Sequence, residues 1–431
     1  MHRKWGLTIC FCVVCAIGIF VALISLKWPV RESIVHNYDE KNIPSIEISF
    51  FGNKYEPENV EVLEEIITGF MQERPDVSLS YESIKGTDYY EALVKRAKAG
   101  KINDIFMVDH DTSLVFTREG LLADLSSLSA VNDFSDGMLS QMREADERIY
   151  WVPTSVFAFG LYCNIDLLET HHQRIPRNLR EFEAVCSYFV GQGITPIIAN
   201  NDISIKTLVI AKGFYPLYRG GKQREAFDRL NRGEERLCAY LRPGLVLARR
   251  FCERGYIDAG KALKTKKTSH DLLEYAKGKA PFMLTGAWAA ERFKSMEPGF
   301  SFTIVPYPVL DEGAVLVINP DTRLGVNARG KNREAATAFV SYFLRPGNLQ
   351  KFDDNQSSFC PLKKGHPSSV REIAPLVESY HTGTAVIGSD SLLDFPIWET
   401  MTEASKRLLA GDDLEQIMIW MDAAVLKECA K

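Results

Sequence analysis

The sequence predicts an α/β protein built from two lobes, and three observations support this prediction. The chain has 431 residues, more than one hydrophobic core usually serves, so two domains are expected. Strand-like and helix-like apolar patterns alternate from Ser45 onward, as they do in open α/β sheets. One apolar stretch, residues 150–168, follows a first run of this alternation and precedes a second. We interpret this stretch as a crossing between the two lobes.

The composition is that of a folded globular protein that does not bind nucleic acid. Hydrophobic residues make up 46% of the chain and charged residues 25%, which excludes extensive disorder. The net charge of -5 leaves no basic excess to neutralise phosphates. The nine cysteines form no disulfide framework, and no histidine or cysteine spacing is typical of a metal site. We therefore expect neither a metal nor a cofactor.

The N-terminal segment predicts attachment to a membrane. Residues 5–26 carry no charge, and as a helix they would extend about 30 Å, enough to span a bilayer. The segment contains no A-x-A cleavage motif and is longer than the apolar region of an ordinary secretory signal, which favours an uncleaved anchor within domain 1–29. Cleavage stays open as the alternative. A polar linker is predicted for residues 30–44, with the folded part exported.

The first lobe is predicted to begin with alternating strands and helices. The expected order is a strand at 46–52, a helix at 63–71, a strand at 77–81, a helix at 90–97 and a strand at 105–108. Asp88 is the expected N-cap of the second helix. Asp109, His110 and Asp111 follow the last strand, at the edge where open α/β sheets bind ligands.

The part of the chain after the crossing repeats the alternation. Pro153 should end the preceding element, and residues 157–162 continue as a strand. Asn178 is the expected N-cap of a helix. Gly286 opens a helix that holds Trp288, and Trp398 lies near the start of another helix. Further strands are expected at 195–199, 282–284, 302–305, 315–318 and 324–326.

Several stretches, taken in order, resemble extracellular solute-binding proteins that feed carbohydrate-importing ABC transporters, the maltodextrin-binding type. The resemblance runs from about residue 46 to the C-terminus. The matching stretches are FMQERPDV (70–77), AGKINDI (99–105), LLADL (121–125), VPTSVFAFGLYCN (152–164), YAKGKAPFMLTGAW (275–288) and NREAATAFVSYFL (332–344). Two departures are the absence of a recognisable lipid-modified cysteine and Cys163, where the family often has tyrosine.

This resemblance implies a periplasmic-binding-protein-like, or Venus flytrap, fold. Its lobes are discontinuous and joined by hinge crossings, here 45–156 plus 307–345 and 157–306 plus 346–431. The implied function is to capture a small carbohydrate, an oligosaccharide, between the lobes and deliver it to the permease subunits of an ABC importer. The implied protein is a monomer without enzymatic activity at the extracytoplasmic face of the bacterial cell membrane, where the N-terminal segment would anchor it.

Two criteria select the candidate ligand-binding residues: a match to the family's motifs, or a position just after a predicted strand. Trp288, in the T-G-A-W stretch, would be a flat platform for the C–H face of a sugar, the alternative being a core tryptophan. Asp111 would accept hydrogen bonds from sugar hydroxyls, or else cap a helix. Trp398 is a second platform or a core residue. The remaining candidates are Asn53, Asn201, Asp202 and Phe157.

Two other functions stay open at this point. One is a sensor whose closed form reports to a membrane kinase, which would use the same fold and cleft. The other is a glycan-cleaving enzyme that uses Asp109 and Asp111 as its acid and base, because residues two apart can approach the spacing that glycosidases need.

Overall fold

The chain forms two compact units, described separately below. The computed structural model describes residues 31–34, 44–144, 146–365, 368–382 and 385–430. The smaller unit comprises the described residues up to Met107 together with Val326–Phe339. The larger unit comprises the described residues of Val108–Gly325 and Val340–Lys431. Within the described ranges no helix is long and apolar enough to cross a membrane. The predicted membrane segment at 5–26 lies outside these ranges.

The smaller unit has the strand–helix alternation that the sequence predicts. Its elements are β1 (Arg31–Ile34), β2 (Ile46–Gly52), α1 (Pro57–Glu73), β3 (Val77–Ser83), α2 (Thr87–Lys98) and β4 (Ile105–Val108). The sheet order is β1-β3-β2-β4, with β1 antiparallel to β3 and the other pairs parallel. β1 lies within the stretch for which a linker is predicted.

Alternating burial organises the core of the smaller unit. Strand β3 buries every second residue, including Val77 and Leu79, and α1 buries an apolar face that includes Phe70. The Phe339 ring lies 5.3 Å from the Phe70 ring, centroid to centroid. The predicted Asp88 cap is wrong, because Gly86 occupies the N-cap position and Asp88 lies in the first turn of α2.

The larger unit is mostly helical in its first part. Its elements there are α3 (His110–Arg118), α4 (Asp136–Met142), β5 (Val152–Asn164), α5 (Ile165–Thr170), α6 (Leu179–Gly191), β6 (Ile197–Ile198), α7 (Ser204–Arg219), α8 (Gln223–Asn231), α9 (Leu237–Glu253), α10 (Ala259–Lys264) and α11 (His270–Tyr275). Asn178 caps α6 as predicted, because its side chain accepts a hydrogen bond from the Glu181 N–H.

Strands and helices alternate again toward the C-terminus. The elements are β7 (Phe282–Gly286), α12 (Ala290–Ser295), β8 (Phe302–Val305), β9 (Tyr307–Leu310), β10 (Gly313–Val326), α13 (Arg333–Phe343), α14 (Pro346–Asn355), α15 (Ala374–Thr382), β11 (Ala385–Ile387), α16 (Ile397–Ala410) and α17 (Leu414–Cys429). A 3₁₀ turn at Ala287–Ala289 follows Gly286 and contains Trp288.

Strand β5 is central to the sheet of the larger unit. It pairs antiparallel with β10 and with β7, and β6 extends the sheet beyond β7 in a parallel pair. Phe159 lies opposite Gly286 in this register. The pairing therefore brings the residues just after β7 close to the two phenylalanines of β5.

Two strands are longer than the sequence predicts, and both contain a proline. Pro153 lies inside the 13-residue strand β5, where it was expected to end an element. Pro320 lies inside the 14-residue strand β10, where two separate strands were expected. Each proline lies opposite a residue of the partner strand, Arg323 and Val156 respectively. Residues before and after each proline also pair with the partner strand, so the strand continues through the proline although proline has no N–H to donate.

Candidate functional site

Four aromatic side chains of the larger unit contact one another and form what we call the aromatic cluster: Phe157, Phe159, Trp288 and Trp398. The Trp288 ring stacks on Phe157 with centroids 5.0 Å apart and planes at 22°. Phe159 meets Trp288 edge to face at 5.2 Å and lies 5.4 Å from Trp398. Phe159 is buried, whereas Phe157 and the two tryptophans are partly exposed. The cluster therefore presents aromatic surface to solvent.

The backbone explains why the tryptophans lie there. Phe157 and Phe159 are two apart on β5 and share one face of the sheet. Trp288 folds back over Gly286, where a Cβ atom would lie only 2.0 Å from the indole ring. Gly388 provides similar room for Trp398, because a Cβ there would lie 2.9 Å from that ring.

Two carboxylates at the start of α3 have different roles. Asp109 is the N-cap, since its side chain accepts a hydrogen bond from the Thr112 N–H at 2.8 Å. Asp111 lies in the first turn, and its Oδ1 is buried without a hydrogen-bond partner among the described residues. Burial, with the nearby carboxylates of Asp109 and Glu399, raises the pKa of Asp111 to about 7, although Lys206 opposes the shift.

Lys206 connects the acidic residues to the aromatic cluster. Its side chain is only 1% exposed, and its Nζ lies 2.7 Å from an Asp202 carboxylate oxygen and 2.7 Å from Thr402 Oγ1. The same Nζ lies 4.0 Å from the centroid of the Trp398 ring, a cation–π geometry. Burial lowers the pKa of Lys206 to about 8, against the attraction of Asp202. Although burial acts in the opposite direction, Lys206 and Lys267 hold the pKa of Asp202 below its usual range.

Five of the seven predicted site residues belong to one connected group in the larger unit. Trp288, Trp398 and Phe157 are in the aromatic cluster. Asp202 forms an ion pair with Lys206, whose ammonium group contacts the Trp398 ring. Asp111 interacts electrostatically with Lys206.

The other two predicted residues make contacts elsewhere. Asn201 is hydrogen-bonded to the neighbouring segment 263–265: its Nδ2 donates to the Leu263 carbonyl and its backbone N–H donates to the Thr265 carbonyl. Asn53 belongs to the smaller unit, where its Nδ2 donates to Tyr90 Oη at 3.1 Å and its Oδ1 is buried without a hydrogen-bond partner among the residues that the structure describes. Their roles in ligand binding stay predictions.

The sequence analysis missed Lys206, Phe159 and Glu399. Lys206 had a detectable signal, because it follows Asp202 by four residues across the start of α7 and this spacing suits an ion pair. Phe159 follows Phe157 by two residues in a strand pattern. No sequence pattern indicates Glu399, because its proximity to Asp111 depends on how α16 packs against distant parts of the chain.

The arrangement suits binding better than acid–base catalysis. Asp109 is engaged as a helix cap, so the Asp109–Asp111 pair does not offer two free carboxyl groups. Across the described part of the chain, no group of three or more histidine, cysteine, aspartate or glutamate side chains could hold a metal ion. Flat aromatic faces beside fixed charges favour a ligand that has apolar faces and hydroxyl groups.

Comparison with known proteins places the chain in a defined family. A sequence model described as "Bacterial extracellular solute-binding protein" matches residues 54–350. The multiple sugar-binding protein of Streptococcus mutans is 19% identical over 350 residues, covering 77% of this chain and 79% of that protein.

Two solved structures share the fold. The RafE solute-binding protein of Streptococcus pneumoniae in complex with raffinose has a TM-score of 0.67 and 20% identity, covering 89% of this chain and 99% of its own. A sugar transporter protein of Bacillus licheniformis in complex with stachyose also has a TM-score of 0.67, with 17% identity and coverage of 88% and 98%. The fold is thus the two-lobe, periplasmic-binding-protein-like α/β fold.

Proposed function

The chain belongs to the family of bacterial extracellular solute-binding proteins, and on that premise we propose that it captures an oligosaccharide at the aromatic cluster. The sugars in the two solved complexes, raffinose and stachyose, are oligosaccharides. Raffinose and stachyose are the ligands of those two proteins, and they support oligosaccharides as the ligand class proposed for this chain. Which oligosaccharide binds depends on side-chain geometry that differs among relatives of this low identity.

The aromatic cluster is the observation on which the proposal depends. Trp288 and Trp398 are both partly exposed and both contact the same buried Phe159. Phe157 stacks on the Trp288 ring and the Lys206 ammonium lies over the Trp398 ring, and the exposed part of each indole can pack against the apolar C–H face of a sugar ring. A ligand with more than one sugar ring would contact both indoles, which favours an oligosaccharide over a monosaccharide.

The charged residues beside the cluster favour a neutral sugar. Asp111 provides a buried carboxylate oxygen without a partner, which a sugar hydroxyl can satisfy by donating to it. Lys206 is already committed to Asp202 and Thr402, so its charge is compensated inside the protein. An acidic sugar would meet the carboxylates of Asp111 and Glu399, and the cation that acts on Asp111, Lys206, is already paired with Asp202.

We further propose that the protein is exported, stays anchored through residues 5–26 and delivers its ligand to the permease of an ABC importer. Delivery and anchoring follow from the family and from the apolar N-terminal segment. An anchored protein should stay in the membrane fraction at high salt and be released by detergent. Recovery of an exported form whose sequence begins near Val30 would contradict the anchor and support cleavage.

The ligand class is tested by a thermal-shift screen of the purified folded part. The screen compares raffinose, stachyose and other neutral oligosaccharides with acidic sugars and with amino acids. A ligand present at about 100 times its dissociation constant stabilises the folded state by roughly 2.7 kcal/mol. We expect at least one neutral oligosaccharide to raise the unfolding temperature.

Asp111→Asn is the matched variant for this screen, because it keeps the side-chain shape and removes the charge. It should show a smaller ligand-induced shift than the wild type. Stabilisation by an amino acid, with no oligosaccharide active at any concentration tested, would contradict the proposal.

A further inference from the structure

A cavity lies in the larger unit, apart from the aromatic cluster. We call it the Asp390 cavity; its volume is about 500 Å³, and its wall includes Gln141, Tyr218, Arg224, Phe359, Tyr380 and Asp390. None of its lining residues belongs to the aromatic cluster or to the charged group around Lys206. Lys206 is in the first turn of α7 and Tyr218 in the last, so about 18 Å of helix separates them.

One wall of the Asp390 cavity is a fixed polar network. Asp390 is 1% exposed, and its Oδ1 accepts hydrogen bonds from Gln141 Nε2 and from the Leu392 N–H, both at 2.9 Å. Tyr218 Oη donates to the other carboxylate oxygen. The Gln141 Oε1 in turn accepts from the Ser391 N–H at 2.8 Å. These bonds hold Gln141 and Tyr218 in place at the wall before any ligand arrives.

Two polar groups at the cavity have no partner in the described part of the chain. The Gln223 Oε1 is buried without a hydrogen bond. The neighbouring Arg224 is exposed and forms no hydrogen bond or ion pair with any described residue. Lys363, a second cation of the lining, pairs with the exposed Asp136 at 3.2 Å. Arg224 is therefore the cation of the lining that has no ion pair among the described residues, although its charge also acts on the buried Asp390 carboxylate.

Much of the remaining lining is apolar and aromatic. The rings of Phe359 and Tyr380 lie 4.9 Å apart with planes at 32°, and Met138, Ile318 and Leu362 also line the cavity. Small-molecule sites typically enclose about 300 to 1,000 Å³ and combine such apolar walls with a few placed polar groups. The Asp390 cavity has both the size and this division of its walls.

We propose that the Asp390 cavity binds a small organic anion that has an apolar body. The body lies against Phe359 and Tyr380, and the anionic group meets Arg224. Arginine suits this role because its planar guanidinium can donate two parallel hydrogen bonds to a carboxylate, sulfonate or phosphate. The site is independent of the oligosaccharide site and does not depend on the proposed function.

The probe for this test is 1-anilinonaphthalene-8-sulfonate, an aromatic anion whose fluorescence rises in apolar surroundings. Its matched neutral analogue is N-phenyl-1-naphthylamine. Fluorescence titration of the folded full chain should show one saturable site for the anion. Arg224→Gln should raise its dissociation constant about tenfold, since it removes a charge-assisted contact. The same variant should leave the affinity for the neutral analogue unchanged.

Arg219→Gln is the control, because Arg219 is an exposed arginine of the same helix as Tyr218 and does not line the cavity. It makes the same change in net charge and should leave both affinities unchanged. The proposal is wrong if the folded protein does not bind the anion, if Arg224→Gln has no effect, or if Arg219→Gln weakens binding equally.

Discussion

Lys206 is a buried charge that connects the residues of the candidate site. A lysine that is 1% exposed loses most of its hydration, which is costly unless the charge is compensated. Here Asp202, Thr402 and the face of Trp398 replace the water. The ammonium group therefore fixes Trp398 relative to the start of α7. Removing the lysine would leave Asp202 without its nearest buried partner.

Asp111 is a carboxylate whose stability cost we expect to depend on pH. Its pKa is about 7 in the folded protein, against about 4 in an unfolded chain. Between these values the folded state holds the proton more tightly, so this group lowers stability as the pH rises from about 4 to about 7. Asp111→Asn should therefore raise the free energy of unfolding at pH 8, by about 1 to 3 kcal/mol. The gain should disappear near pH 4, as measured by denaturant unfolding at both pH values.

The same variant should weaken oligosaccharide binding at pH 8 about tenfold, because a charge-assisted hydrogen bond becomes a neutral one. Asp88→Asn is the control, since Asp88 occupies the same first-turn position of α2 and is exposed. It should lose a few tenths of a kcal/mol from the helix dipole interaction. Destabilisation by Asp111→Asn at pH 8 would show that its carboxylate is well compensated.

The residues of the site were only partly predictable from the sequence. The T-G-A-W stretch identified Trp288, and the strand end before Asp111 identified that carboxylate. Asn201 was chosen by the same strand-end reasoning, yet it fastens the loop at 263–265. Position after a strand indicates an edge of a sheet, but the contacts with neighbouring loops that engage such side chains are not visible in the sequence.

At the scale of elements, the turn from β7 into the 3₁₀ turn positions the site. Gly286 pairs with Phe159 and leaves the space that the Trp288 ring occupies. Its backbone angles suit any residue, so the need for glycine is steric.

Gly286→Ala should displace the Trp288 ring. We expect it to lower stability by about 1 to 3 kcal/mol, as overpacking does, and to weaken oligosaccharide binding. The cost in stability should largely vanish in a Trp288→Ala background, where the clashing ring is absent, and a double-mutant cycle of unfolding free energies measures this.

Gly191→Ala is the control for this cycle, because a Cβ atom at the end of α6 would meet nothing within 4 Å. It should leave stability and binding unchanged or improve stability slightly. An equal cost of Gly286→Ala with and without the Trp288 ring would contradict the steric account.

The elements themselves followed from the sequence more closely than the site did. Alternating apolar residues correctly predicted β2 and β3, and a continuous apolar run correctly predicted β4, because these patterns are visible in each strand's own residues. The full lengths of β5 and β10 were not predictable, because partner strands distant in sequence maintain the pairing through Pro153 and Pro320. Tertiary pairing overrides the local signal there.

At the scale of the whole molecule, the two-lobe fold predicts a movement. We expect the ligand to bind more tightly to a closed state of the lobes and so to stabilise that state. The lobe boundaries at 45–156 plus 307–345 and 157–306 plus 346–431 are a prediction that this movement would test. A saturating oligosaccharide should reduce the radius of gyration measured by solution scattering. Trp288→Ala at the same sugar concentration should show a smaller reduction, and an unchanged wild-type profile would indicate a rigid pocket.

The central claim is that the aromatic cluster binds the ligand. Calorimetric titration of Trp288→Ala with the oligosaccharide found by screening, beside its thermal unfolding without ligand, tests this most directly. Trp151→Ala is the matched control, because Trp151 is 2% exposed and lies under Arg323 at 4.1 Å, outside the cluster.

We expect Trp288→Ala to weaken ligand binding about tenfold or more. Trp151→Ala should lower the free energy of unfolding by about 3 to 5 kcal/mol and leave the affinity of the folded protein unchanged. The loss of stability in Trp288→Ala should be smaller than the loss in Trp151→Ala. If Trp288→Ala instead unfolds as early as Trp151→Ala while its folded fraction binds with wild-type affinity, then Trp288 is a core residue and the ligand binds elsewhere.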